Sequence, residues 1–122
     1  MTSKKILIIE DEPYQLFILI EQISGKGYDY IEAGDGEEGL QRAVSDLPDL
    51  IVTDVIMPKM NGFEVCKAIK ENPETSHIPV IIVSASAMKG FEEICMGSGA
   101  DSYLKRPYDS NEFYELLKKY LD

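Results

Sequence analysis

Apolar residues fall along this chain in two alternating kinds of segment: short unbroken runs, and longer stretches in which they recur every three or four positions. Lys5 to Ile9, Leu50 to Val52 and Pro79 to Val83 are runs of the first kind, rich in Ile and Val. They predict strands buried on both faces of a parallel sheet. Tyr28 to Ala33 is less apolar and is expected at the sheet edge, and Ser102 to Lys105 makes a fifth strand. Between them lie helical patterns. The first runs from Pro13, at the first helical position, to about Ser24, with Leu16, Leu19, Ile20 and Ile23 at helical spacing and Gly25 and Gly27 ending it. The second spans Glu37 to Asp46, with acids in its first turn, where the helix dipole favours them, and Pro48 beyond its end. Phe63 to Glu71 carries Phe63, Val65, Cys66 and Ile69 and stops at Asn72-Pro73. Met88 to Gly97 is weakened by Gly90 and by Gly97-Ser98-Gly99, so a short, mobile helix is expected. Asn111 to Leu121, with Phe113, Leu116, Leu117 and Tyr120, closes the chain.

Strands alternating with helices imply right-handed crossovers, an α/β doubly wound parallel sheet and helices on both faces. A chain of 122 residues suits one domain, residues 1–122. In such sheets ligands collect at the carboxyl ends of the strands, which all lie on one edge. The polar residues there are Glu10 and Asp11, Asp54, Ser84, and the pair Lys105 and Arg106.

Charge narrows the partners. With 22 acids against 12 bases, a net charge of −10 argues against nucleic-acid or anionic-membrane surfaces, which require clustered Lys and Arg. A cationic cofactor or a basic partner patch fits better. Two cysteines, Cys66 and Cys95, without a CxxC or a nearby histidine, read as reduced thiols of a cytosolic protein, and His77 reads as a loop residue. The chain contains no apolar run long enough for a membrane span and no signal peptide pattern, so a cytoplasmic location is expected.

Three carboxylates brought to one edge repel unless a proton or cation intervenes, and hard oxygen donors suit Mg²⁺. A hydroxyl from Ser84 and a cation from the fifth strand add groups suited to phosphoryl oxygens around one carboxylate nucleophile. That is aspartyl-phosphate chemistry. Taken singly, each residue has a plainer reading: Glu10 and Asp11 as caps of the following helix, Ser84 as a turn residue, Tyr103 as packing, Arg106 as a salt-bridge partner of Asp54.

Four stretches, in order, resemble the receiver domain of two-component response regulators: Ile8-Ile9-Glu10-Asp11-Glu12, Asp54 through Gly62, Pro79 through Ala85, and Gly99 through Tyr108. The resemblance covers essentially the whole chain. It implies a flavodoxin-like (βα)5 fold with strand order 2-1-3-4-5 and a phosphorylation-dependent switch. It further implies Asp54 as phospho-acceptor, Asp11 and Asp54 as direct Mg²⁺ ligands, Glu10 acting through water, and the Ile56 carbonyl completing the protein's share of the metal shell. Ser84 would be the switch hydroxyl, with the Ala85 amide beside it, and Tyr103 the aromatic that reports the change. The implied partners are a histidine kinase or histidine phosphotransfer protein, as in a phosphorelay, and a downstream protein target. The only catalysis expected is of the chain's own phosphorylation and dephosphorylation.

This sequence departs from the family pattern in two places. Arg106 stands where the family has a lysine before the proline, and arginine is longer, flatter and not a point charge. Ile56 and Ser86, two places beyond the acceptor and the switch serine, are apolar and small at positions through which the family tunes phosphoryl lifetime. Arg106 keeps a competing reading open, a pseudo-receiver that binds without phosphorylation. A Mg²⁺-dependent hydrolase would carry a second acid at position 56, and a flavin carrier a phosphate-cradling loop after the first strand, where this chain has acids.

Overall fold

Successive residues of the central strands point to opposite sides of the sheet, and both sides are apolar. The computed structural model describes residues 3–85 and 89–122. In it β1 (Lys5–Ile9), β2 (Asp29–Ala33), β3 (Leu50–Thr53), β4 (Val80–Ser84) and β5 (Ser102–Lys105) form one parallel sheet in the order β2-β1-β3-β4-β5. The alternation with α1 (Pro13–Gly25), α2 (Gly36–Asp46), α3 (Gly62–Glu71), α4 (Phe91–Gly97) and α5 (Ser110–Leu121) is the expected one.

Leu7, Ile9, Ile51, Val80 and Ile82 meet Ala43, Val65, Cys66, Ile69, Phe91 and Cys95 of α2, α3 and α4 on one side. Ile6, Ile8, Leu50, Val52, Ile81, Val83 and Leu104 meet Leu19 and Ile23 of α1 and Phe113, Leu117 and Leu121 of α5 on the other. The period-two pattern of each strand thus feeds two cores, and truncating one of these fully buried Ile or Leu residues to Ala costs about 2–5 kcal/mol. The outer strand β2 is mostly exposed, as its mixed composition predicts.

Boundaries differ from the sequence expectation for identifiable reasons. Pro79 lies just outside β4 because it has no N–H for the ladder, although its carbonyl still accepts from Ile51 N at 2.9 Å. α1 is capped by Glu12, whose carboxylate accepts from Tyr14 N (3.1 Å) and Gln15 N (2.8 Å), so capping falls to neither Glu10 nor Asp11. α4 begins at Phe91, because Gly90 takes a left-handed conformation (φ 76°) that sets the helix start. The part of the expected fourth helix at Met88 lies outside the described residues, as does Ser86. Among the described residues no helix is long and apolar enough to cross a membrane.

Candidate functional site

Hydrogen bonds that continue the ladder past the strand ends carry the polar residues to one edge. Glu10 N donates to Ala33 O (3.0 Å), Asp54 N to Ile9 O (3.1 Å) and Arg106 N to Ser84 O (2.8 Å). Glu10, Asp54, Ser84 and Arg106 therefore stand side by side at the carboxyl ends of β1, β3, β4 and β5. The geometry follows from parallel register and from nothing in their local sequence.

Asp54 is held from both sides. Val55 N donates to its Oδ1 at 2.6 Å, and Arg106 Nη1 lies 3.4 Å from its Oδ2. Its side chain keeps 15 % exposure, enough for a reactant to reach it. The second guanidinium nitrogen of Arg106, Nη2, lies 3.7 Å from Glu10 Oε1. Both contacts are longer than the ~2.7–2.9 Å of a close charge-assisted pair, so Arg106 spans two carboxyls without closing on either. Lys105 is exposed, as strand alternation requires of the residue beside an inward-facing one.

The Glu10 side chain has no exposure, and as a carboxylate neither of its oxygens finds a hydrogen-bond donor among the described residues. Burial first, then the hydrogen bond and charge of neighbouring Asp54, push its pKa from 4.5 up to about 8, Arg106 opposing them. Burial and the neighbouring carboxylate thus disfavour a second negative charge beside Asp54. A cation would relieve the same repulsion.

Asp11 is exposed at the rim, next to Glu10, and adds to the field that raises Glu10. Ile56 projects outward with 72 % exposure, so only its backbone is suited to the site. Among the described residues no three acidic, histidine or cysteine side chains are gathered tightly enough to hold an ion by themselves. The donor set still fits Mg²⁺, a hard cation that takes one or two carboxylates and keeps several waters, and the orphaned Glu10 oxygens mark where its charge is wanted.

Ser84 is buried and Ala85 exposed beside it. Tyr103 is half-buried, its ring edge-on to Phe91 at 5.8 Å between centroids, which joins β5 to α4. Cys66 and Cys95 are buried free thiols; burial raises both, Cys95 to about 11. His77 is exposed, away from the site.

Sequence reasoning passed over two features. Tyr14 (66 % exposed) and Phe17 (59 %) face solvent on α1, next to a cleft of about 390 Å³ lined by Gln15, Ile18, Gln22, Ala85, Arg106 and Tyr108. The signal was present: α1 is apolar on nearly every face, more than one core contact can use. The other is the packing of the loop after Asp54. A Cβ on Gly62 would overlap the Asp54 carbonyl oxygen, and a Cβ on Gly36 would overlap that of Met60.

Comparison with known proteins agrees with this geometry. The profile of the response regulator receiver domain matches residues 6–118. The chain is 38% identical over 119 residues to the polar-differentiation response regulator DivK of Brucella ovis, covering 98% of this chain and 97% of that one. A putative response regulator from Chloroflexus aurantiacus superposes with a TM-score of 0.93 at 28% identity, over 98% of both chains. The receiver domain of a Pseudomonas aeruginosa sensor histidine kinase, described with a magnesium ion coordinated in its active-site cleft, shares the fold. It has a TM-score of 0.89 and 24% identity, covering 98% of both chains.

Proposed function

We propose that this chain, which belongs to the response regulator receiver domain family of two-component signalling, is a switch thrown by transfer of a phosphoryl group to Asp54. The observation that supports this most directly is the placement of Asp54: partly accessible, oriented by Val55 N, and flanked by Arg106 and the buried Glu10.

With Oδ1 tied to Val55 N, Oδ2 is the oxygen that attacks phosphorus. An Oδ2–P bond forms as the P–N bond of a phosphohistidine donor breaks, and the departing imidazole nitrogen keeps the bonding electron pair. Glu10, Asp11, Asp54 and the Ile56 carbonyl would hold Mg²⁺, which when bound supplies positive charge against the phosphoryl oxygens. Arg106, already beside Oδ2, moves with the phosphoryl group and binds its oxygens. The Ser84 hydroxyl and Ala85 amide stand next to it as donors. Tyr103, packed on Phe91, links β5, the strand beside Ser84, to α4 and the surface a protein target reads.

The donor is a histidine kinase or histidine phosphotransfer protein, and the apolar face of α1 at Tyr14 and Phe17 is the surface suited to seat it beside Asp54. The net charge of −10 disfavours nucleic acid. Incubation with Mg²⁺ and acetyl phosphate tests the reading by intact mass. Wild type should gain one base-labile phosphate and Asp54→Asn none. A wild type that gains none leaves the phosphorylation-independent scaffold, the reading that Arg106 in place of the family lysine keeps open.

A further inference from the structure

The loop from Asp54 to Gly62 carries the acceptor and the Ile56 carbonyl, yet it is gripped by a segment that supplies nothing to the reacting atoms. Gly36, the first residue of α2, lies so close to Met60 that any side chain there would overlap the Met60 backbone. Asp35, immediately before it, uses Oδ1 to cap α2 through Glu38 N at 2.8 Å and offers Oδ2 to Lys59 Nζ at 3.6 Å. Those interactions, the Glu38 amide foremost and Lys59 after it, hold the Asp35 carboxyl below its usual range. Lys59 sits at φ 71°, a left-handed conformation unusual for a residue with a side chain. The far end of the loop is closed by Gly62, packed on the Asp54 carbonyl with Gly62 N donating to Val55 O at 2.9 Å, and by the reciprocal Asn61 and Glu64 cap of α3.

We propose that Asp35, Gly36 and Lys59 form a positioning clamp: the amino end of α2 fixes the path of the acceptor loop, and so sets Mg²⁺ affinity and phosphoryl-transfer rate from outside the reacting centre. The inference rests on the receiver reading of the site. Its physical basis is tolerance: misplacement of reacting groups by about 1 Å can cost about a hundredfold in rate, and backbone-on-backbone packing leaves the loop no such slack.

The test compares wild type, Gly36→Ala, Asp35→Asn, Lys59→Ala and the Asp35→Asn/Lys59→Ala double variant, all as the full chain and at a temperature where circular dichroism shows each folded. Asn retains the helix cap and removes the charge. Mg²⁺ alone is titrated by amide shifts, acetyl phosphate phosphorylation is timed, and hydrogen exchange is read over residues 54–62. Gly36→Ala should slow phosphorylation at least about tenfold and weaken Mg²⁺ binding. Asp35→Asn and Lys59→Ala should each lower the rate about two- to fivefold, with the double variant no worse than either single one, and high salt should erase the difference. Exchange over residues 54–62 should rise in all of them.

Wild-type rate, Mg²⁺ affinity and loop exchange in Asp35→Asn and Lys59→Ala would overturn the clamp, as would losses in exact proportion to global stability. Should Gly36→Ala not fold, the two charge variants decide. Should wild type take up no phosphate, the phosphorylation reading fails while Mg²⁺ affinity and loop exchange still judge the clamp.

Discussion

Replacing Glu10 by Gln should make the protein more stable at neutral pH, and by an amount that depends on pH. Glu10 is fully enclosed beside Asp54, with Arg106 as a distant counter-charge at 3.7 Å, and its pKa rises from 4.5 to about 8. Below pH 4.5 the folded and unfolded chains both carry the proton and nothing is lost. Between there and about pH 8 the unfolded chain is ionised while the folded chain still binds the proton, so wild-type stability falls as pH rises. Above that range the full cost is present. At about 1.4 kcal/mol per tenfold change, the complete shift corresponds to an upper bound of about 5 kcal/mol. At neutral pH, about 2.5 pH units above the ordinary value of 4.5, the same conversion gives about 3 kcal/mol. Gln has nearly the same shape, and its amide can donate to Asp54 as the protonated acid does, so the exchange removes the titration and keeps the contact. Urea unfolding of both proteins, in a chelator and from about pH 5 to about pH 8, measures the difference. The gain should be near zero at the acid end, grow with pH, and raise Tm by about 3–5 °C for each kcal/mol. A difference that does not change with pH, or a Gln variant less stable than wild type at neutral pH, would refute the account of Glu10.

Arg106→Ala should impair phosphorylation or uncouple it from the switch, Arg106→Lys should retain transfer, and Lys105→Ala should be nearly silent in both; a damaging Lys105→Ala with a silent Arg106→Ala in the same mass assay would reverse the assignment. Beryllofluoride, a tetrahedral mimic of the phosphoryl group, should change hydrogen-exchange protection most over residues 84–108, and equal protection with and without it would count against a surface regulated through Ser84 and Tyr103. Cys66 and Cys95 are buried, with thiols pushed upward by burial, so an aromatic disulfide reagent at neutral pH should label neither at an appreciable rate until denaturant is added. Fast labelling of the native protein would show that α3 and α4 open readily.

The elements, the parallel sheet and the edge at which chemistry collects were legible in the order of residues alone. Runs such as Leu50–Val52 and Val80–Val83 are too short for helices and too apolar for an exposed face, and crossovers between parallel strands leave few topologies. The acceptor candidate and the residues around it were legible too, because motifs beside strand ends are set by local order along the chain. Their mutual distances were not. That Arg106 faces Asp54 while Lys105 turns outward follows from strand alternation, but that its guanidinium also reaches Glu10 depends on the register of β5 against β4 and on how the strand ends twist. The protonation of Glu10 depends on enclosure by residues far away in sequence, since desolvation is a property of the packed surroundings. Glu12, not Glu10 or Asp11, became the helix cap because the first two acids were carried past the end of β1 toward the site edge. The grip of Gly36 on Met60 could not be read from either segment alone, because a glycine shows why it is needed only when the opposing backbone is in place.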